Sequence, residues 1–223
     1  MPISLKDIVK QDLQRQVNIV VLARCYESEW GMPMMYIAKK DGAIRTVDNE
    51  RELNKCMVRR QYMLPQLLNM IRRHPNWKYA SLIGLTLCYY SYELDEESSW
   101  LCVLVTPFGK FRRLRLSMGL EQSPDWAQGA LEPVLQEFLH NFVECCIDDI
   151  AVFSHSYQEH MQHLAAVLRQ LEDNGYTVNP AKCKWAVIEA EWLDHLICCD
   201  GLKPWPKKIQ GILDVALPST LKQ

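Results

Sequence analysis

At 223 residues the chain can bury a sizeable core and can hold one or two domains. Its apolar fraction of 48% and charged fraction of 23% are those of an ordinary folded protein, and a net charge of −2 excludes a globally basic nucleic-acid binder. No run reaches the apolar length of a membrane span, residues 1–12 lack the apolar core of a signal peptide, and nine cysteines, an odd number, read as free thiols of an intracellular protein of cytoplasm or nucleus.

Leu5, Ile8, Val9, Leu13 and Val17 recur at helical spacing, continued by Val20 or Val21, and predict one helix over Ser4–Tyr26. Trp30–Lys40 and Ala43–Val47 read as strands joined at Asp41-Gly42, a hairpin turn pair. Lys39 to Arg73 is locally basic, with nine cationic side chains against four acidic ones. Such a cluster suits phosphates, although a solvated charged face is its commoner meaning. A strand follows over Lys78–Leu85, and the acidic stretch Glu93–Glu97 reads as a solvated turn. Lys110, Arg112, Arg113 and Arg115 lie on an alternating strand and suit template phosphates or solvent. A helix is predicted near Gln122–Asn141.

The densest chemistry lies in Cys145–Ser154. Phe142–Ile147 and Ile150–Phe153 read as strands, and Asp148-Asp149 falls between them at a predicted hairpin tip. Asp accepts the unusual backbone angles of a tight turn. Two carboxylates this close repel unless a cation sits beside them. The pair therefore reads either as a divalent metal site for phosphoryl transfer or as a solvated turn. Ser156-x-x-Glu159 has capping-box spacing. Met161, Leu164, Val167, Leu168 and Leu171 line one face of the helix that follows, to Asn174, with Gly175 ending it. His160 and His163 share a face three residues apart and, with no third ligand, read as surface residues. His195, Cys198 and Cys199 with Cys145, Cys146 or Cys183 suggest zinc only weakly, since no Cys-x-x-Cys pair is present.

Strand, Asp-Asp turn, strand, capped helix and then Asn179-Pro180-Ala181-Lys182-Cys183 is a specific order. It resembles the palm of a reverse transcriptase of the Ty3/gypsy retrotransposon class, whose signature is Tyr-x-Asp-Asp. The resemblance is dense from about Tyr36 to about Ile209. Lys39-Lys40-Asp41-Gly42, Arg45 and Arg51-Glu52-Leu53-Asn54-Lys55 resemble the fingers motif. Tyr62-Met63-Leu64-Pro65, Thr106-Pro107-Phe108-Gly109, Met118-Gly119-Leu120 and Ser123-Pro124 with Gln128 follow in the family's order. Trp192-Leu193-Asp194-His195 and Gly201-Leu202-Lys203-Pro204 resemble the hairpin that grips the primer end.

The resemblance implies an α+β fold of polymerase-type fingers and palm, with an antiparallel palm sheet packed on helices and no complete thumb. Fingers would take about 1–60 and 96–127, palm about 61–95 and 128–203, and 204–223 would lead toward a thumb. The implied reaction is RNA-directed DNA synthesis by two-metal phosphoryl transfer, with two magnesium or manganese ions, a deoxynucleoside triphosphate and an RNA or DNA template-primer as partners. Asp148 and Asp149 would be catalytic metal ligands. Lys40 and Arg45 would meet the triphosphate, Tyr89 would gate the sugar, and Met118 would border the nucleotide. A core aromatic is the competing reading of Tyr89.

Against that pattern stands Gly84, at the position of the family's first catalytic aspartate. Magnesium takes near-octahedral oxygen ligation from a few carboxylates, and two adjacent ones do not clamp two ions from both sides. Glu93 and Asp95 would lie roughly 30 Å or more along an extended strand. Cys146 replaces the signature tyrosine, Asn49 and Glu50 replace an aspartate and an aromatic, Ser117 replaces a proline, and Asp194 replaces a glycine. The expectation is an impaired or lost polymerase. The alternatives are a catalytically dead nucleic-acid-binding or scaffold module, or a remnant without function.

Overall fold

The computed structural model describes residues 6–38, 44–199, 201–203 and 206–214. In chain order the elements are α1 (Lys6–Asn18), β1 (Leu22–Cys25), β2 (Met32–Ala38), β3 (Ile44–Asp48), α2 (Arg51–Cys56), α3 (Leu67–Arg73), β4 (Tyr79–Gly84), α4 (Glu96–Leu101), β5 (Val103–Thr106), β6 (Gly109–Arg113), α5 (Ser123–Leu135), β7 (Val143–Cys146), β8 (Asp149–Ser154), α6 (Tyr157–Asp173), β9 (Lys184–Val187), β10 (Glu189–Trp192), β11 (His195–Cys198), β12 (Gly201–Lys203) and α7 (Pro206–Leu213). They fall into two compact units, Met1–Met63 with Leu87–Gly129, and Leu64–Thr86 with Ala130–Gln223.

The first unit is built on a five-stranded sheet in the order β1-β6-β5-β2-β3. Its pairs are antiparallel except β2 with β5, which run parallel. The single helix expected over Ser4–Tyr26 stops at Asn18. Val20 takes a left-handed φ of 57°, and the Val21 N–H donates to the Gln16 carbonyl at 2.9 Å, which closes the helix. Leu22–Cys25 then pairs with β6, from Leu22 opposite Arg113 to Cys25 opposite Lys110. β-branched residues at the junction and an available sheet edge outweigh the helical spacing there. Helix α1 buries Val9 and Leu13 but exposes Ile8. The core gathers Leu22, Met32, Met34, Leu104, Phe111 and Leu116. The predicted Asp41-Gly42 turn and residues Ser4 and Leu5 lie outside the described residues.

In the second unit a four-stranded antiparallel sheet runs β7-β8-β4-β9, with a three-stranded antiparallel sheet β10-β11-β12 beside it in the same unit. Strands β4 and β8 are buried along nearly their whole length. Such strands read as continuous apolar runs rather than alternating ones. Helix α6 opens with the predicted capping box, Ser156 accepting from the Glu159 N–H while the Glu159 carboxylate accepts from the Ser156 N–H. It buries Leu164, Val167 and Leu171, whereas Met161 is exposed.

Two expectations fail in this unit. His160 is not a surface residue but fully buried, its ring held by Ser81 Oγ on β4 at 2.7 Å and Ser154 Oγ on β8 at 2.8 Å. The helix expected to run to Asn141 ends at Leu135. Pro133 lies inside its last turn, and His140 takes a left-handed φ of 66° before β7.

Candidate active site

Strands β7 and β8 form a two-residue hairpin, with Cys146 opposite Asp149. The turn residues are Ile147 and Asp148, not the two aspartates. Ile147 takes the left-handed φ of 60°, and Asp149 opens β8. A two-residue hairpin needs positive φ at its first turn position to match the twist of its strands. That demand falls here on a β-branched residue, which tolerates it worst. The consequence is that the two carboxylates differ: Asp148 is a turn residue, while Asp149 is a strand residue in register with β4. Burial and neighbouring Asp148 raise the Asp149 carboxyl above its ordinary range, and Lys182 pulls it back. Burial, then Asp149 and Asp148, push the Cys146 thiol up.

The partner of Asp149 across the sheet is Gly84, the last residue of β4 and itself buried. The Asp148 carbonyl accepts from the Leu85 N–H at 3.0 Å, so the end of β4 is tied to the turn. On its other side, the Gly84 carbonyl accepts from Asn179 N–H at 2.8 Å. The Asn179 side chain accepts from Ala181 N–H at 3.1 Å and caps a single 3-10 turn, Pro180–Lys182. This delivers Lys182 over Gly84. A Cβ at position 84 would stand 2.9 Å from Lys182 Cβ and 3.3 Å from its Cδ. Gly84, Asp149, Lys182, Lys184, Glu191 and Asp194 share the wall of one cleft of about 340 Å³. Lys182 entered the sequence reading only as part of the Asn179–Cys183 motif, and Lys184 not at all, so neither was expected at the site. The signal was present in the Asn-Pro pair that starts the turn, but nothing in a linear sequence says which strand end the turn covers.

The remaining expected site residues belong to the first unit. Tyr89 sits in a 3-10 turn, Cys88–Ser91, and is partly buried against the core, so it is not a strand aromatic. Met118 lies in the turn after β6, 50% exposed. Arg45 occupies β3 opposite Ile37, and Lys40 lies outside the described residues. The basic run on β6 and just after it is largely engaged within the unit rather than open to phosphate. Arg113 is buried in an ion pair with Asp48, and Arg115 pairs with Glu93 at 2.9 Å. Arg112 stacks on Trp100 at 4.5 Å, and Lys110 donates to the Ser28 carbonyl at 2.6 Å. Of the earlier basic stretch, Arg59 is bound to Asp125 at 3.0 Å. In the second unit, Arg73 holds buried Glu144 with two hydrogen bonds at 2.7 Å. The acidic stretch after Glu93 is a helix cap: Asp95 accepts from the Ser98 N–H and hydroxyl at 2.8 Å each.

An antiparallel sheet carrying adjacent aspartates at a hairpin, packed on helices and joined in the chain to a sheet-based second unit, is a polymerase-type fingers-and-palm fold. The chain belongs to the reverse transcriptase (RNA-dependent DNA polymerase) family, whose pattern it matches over residues 37–209. It is 28% identical to a retrovirus-related Pol polyprotein from transposon 297 of Drosophila melanogaster, over 99% of this chain and 20% of that protein. The corresponding protein of transposon opus, also from Drosophila melanogaster, is 26% identical over 96% of this chain and 22% of its own length. The transposon Tf2-3 polyprotein of Schizosaccharomyces pombe is 25% identical over 86% and 14%. The chain thus spans about a fifth or less of the length of these relatives. Among solved structures, the fold is shared with a foamy viral protease-reverse transcriptase. In complex with RNA/DNA hybrid that protein gives a TM-score of 0.87 at 22% identity, over all of this chain and 30% of its own. In complex with dsDNA it gives 0.89 at 22%, over all of this chain and 46% of its own.

Divalent ions are part of what such a family implies, and the donor set here does not fit a pair of them. Among the described residues no three His, Cys, Asp or Glu side chains converge as a cage. The position across from Asp149 offers no side chain, and the space above it holds the stem of a cation. No described helix is long and apolar enough to cross a membrane.

Proposed function

We propose that this chain is a reverse transcriptase-like domain in which RNA-directed DNA synthesis is impaired or lost. The observation that carries this reading is Gly84 in register with Asp149, at the family position of the first catalytic carboxylate. In the family that carboxylate and the Asp pair together hold the ions that template an in-line displacement. With one of its three anchors missing, the expected loss in rate is on the order of a thousandfold or more, judged from what removing one preorganised electrostatic group costs.

The first unit is assigned to the fingers and the second to the palm, with residues 87–95 going to the fingers and 204–223 leading toward a thumb. Lys40, Arg45, Tyr89 and Met118 are assigned, by family position, to the incoming deoxynucleoside triphosphate: the cations to its phosphates, Tyr89 to the sugar, and Met118 to the border of the nucleotide. Asp148 and Asp149 are what remains of the metal-binding set. An RNA or DNA template-primer is the macromolecular partner, supported by the RNA/DNA hybrid and dsDNA bound by the foamy viral protein. The engagement of Arg59, Arg73, Arg113 and Arg115 in internal ion pairs argues for modest affinity. Nine free cysteines support an intracellular location, cytoplasm or nucleus.

The test is primer extension on an RNA template with magnesium and then manganese, run beside Asp148→Asn. The expected result is that neither protein extends measurably, while a labelled RNA/DNA hybrid binds with marked salt dependence. Extension by the starting protein that Asp148→Asn abolishes would overturn the reading. Hybrid binding that persists without extension assigns the retained function to nucleic-acid binding.

A further inference from the structure

We propose that the groove between helix α1 and the β1–β6 pair of the first unit is a site for single-stranded nucleic acid, in which Lys10 and Arg24 take backbone phosphates and Phe108 stacks a base. The inference rests on the reading that a nucleic acid is this chain's partner, and it names a contact separate from the triphosphate position assigned to Arg45.

The groove is made by two elements of different period. On α1, Asp7, Lys10, Gln11 and Gln14 recur at i, i+3, i+4 and i+7, a polar stripe about 10 Å long beside the face that buries Val9 and Leu13. On β1, Arg24 stands in register with Phe111 of β6, so the two side chains share one face of the sheet. With Phe108, from the turn between β5 and β6, they line a cavity of about 590 Å³, inside the range of about 300–1,000 Å³ that ligand sites occupy. Its cations are free. Arg59, Arg113 and Arg115 of the same unit are held in ion pairs, whereas Lys10 and Arg24 have no ion pair or hydrogen bond among the described residues. The Arg24 guanidinium lies 5.4 Å over the Phe111 ring. An arginine backed by an aromatic face is held in direction and keeps its N–H fork for a phosphate. Phe108 is only partly buried against the core, so part of its ring is open to the cavity. Free cations beside an aromatic platform hold a single strand without reading its sequence, whereas a duplex keeps its base faces covered.

The place of the groove separates it from the nucleotide position. Strands β1 and β3 are opposite edges of the five-stranded sheet, so Arg24 stands four strand spacings, roughly 19 Å, from Arg45. The Asp7 carboxylate, at the N-terminal end of the stripe, opposes a polyanion and holds the affinity below what the two cations alone would give.

The experiment is equilibrium binding of end-labelled oligo-dT and oligo-U, each about ten nucleotides long, read by fluorescence anisotropy from about 0.1 M to about 1 M salt, with the melting transition followed in parallel. Both strands are expected to bind, since neither stacking nor phosphate pairing reads the 2′-hydroxyl. Lys10→Gln with Arg24→Gln changes two exposed side chains and leaves the core intact. That variant is expected to bind about twentyfold more weakly at the low-salt end, with a plot of log affinity against log salt shallower by about 1.4, or about 0.7 for each phosphate contact. Phe108→Leu keeps apolar volume but removes the aromatic face, and is expected to lose about tenfold at every salt concentration. Asp7→Asn is expected to tighten binding about threefold. The proposal is overturned if the double variant keeps both affinity and slope, if Phe108→Leu binds as tightly as the starting protein, or if neither strand binds the starting protein. Should Phe108→Leu lose its native transition, photocrosslinking of a 5-iodouracil-substituted strand to the starting protein takes its place: a crosslink at Phe108 is expected, and its absence overturns the proposal. Primer extension by the starting protein counts against the loss of synthesis proposed above, whereas the salt series counts for or against the groove whether or not extension occurs.

Discussion

At the scale of single residues, the site turn stores strain where its sequence is least suited to it. Ile147 sits at φ 60° in the β7–β8 turn, and Leu193 and Asp194 take φ 46° and 63° in the β10–β11 turn. Left-handed backbone costs an L-residue roughly 1–2 kcal/mol, and glycine avoids that cost while losing some chain entropy. Ile147→Gly is therefore expected to stabilise the protein by about 1 kcal/mol in urea unfolding; a loss of stability would mean that the Ile147 side chain contributes more packing than its backbone costs. In the first unit Glu50 is buried beside Asp48 and packs against Gly119, where a Cβ would collide with its carboxylate. Burial first, with Asp48 adding to it, raises the Glu50 carboxyl to about 7, against the opposing pull of Ser117, Arg113 and the Gly119 amide. The folded chain thus keeps a proton that the unfolded chain releases near the ordinary glutamate range. That contribution is fully present below the unfolded value, and is lost as pH rises toward 7. It amounts to about 3 kcal/mol over the window. Glu50→Gln should gain most of that stability over the starting protein at pH 8 and little at pH 4. A variant equally displaced at both pH values would show that the carboxyl titrates normally.

At the scale of elements, the buried polar hub around His160 joins three strands to a helix. Its ring bridges Ser81 on β4 and Ser154 on β8, and Ser81 Oγ also accepts from the Ala186 N–H of β9 at 2.9 Å. Ser154 Oγ lies 2.9 Å from His163 Nδ1, and His163 stacks on Phe142 at 3.6 Å. Burial, then His163, lowers the His160 pKa against the pull of Glu159. Its neutral form is the one the fold uses, so stability is lost as pH falls below the ordinary histidine value of about 6.5. His160→Gln should flatten that acid limb while costing about 1–2 kcal/mol at pH 8 from disturbed hydrogen bonds; an unchanged acid limb would locate the titrating group elsewhere. The direction is opposite to that of Glu50, and comparing each variant with the starting protein separates the two. The α6 capping box is a simpler case: Ser156→Ala should cost about 1 kcal/mol of unfolding free energy, and a change within error would mean that the Glu159 half of the box suffices.

These elements also mark how far the sequence can be read. The capping box, the strands flanking the Asp pair and the core face of α6 follow from local spacing, because short-range hydrogen bonds and helical periodicity are properties of neighbouring residues. The burial of His160 does not, since its two serine partners come from strands 79 and 6 residues away. The early end of α1 was hidden because Val20, Val21 and Leu22 fit a helical face as well as a sheet edge, and only pairing with β6 decides between them. Arg113 at the end of β6 and Arg115 just beyond it looked available for phosphate because their acidic partners, Asp48 and Glu93, are distant from them in sequence.

For the whole molecule, the chain belongs to the reverse transcriptase family and has its fold, and the proposed loss of chemistry turns on one strand position. Adjacent Asp148 and Asp149 persist at the family's hairpin, yet the residue across the sheet is glycine, and the space above it holds a lysine stem rather than a carboxylate. The most direct measurement is primer extension on an RNA template in manganese, comparing the starting protein with Gly84→Asp. The expected result is extension by Gly84→Asp alone, at least about a hundredfold above the starting protein. Equal extension by both, abolished in each by Asp148→Asn, would contradict the central claim and show that the Asp pair supports synthesis without a carboxylate at position 84.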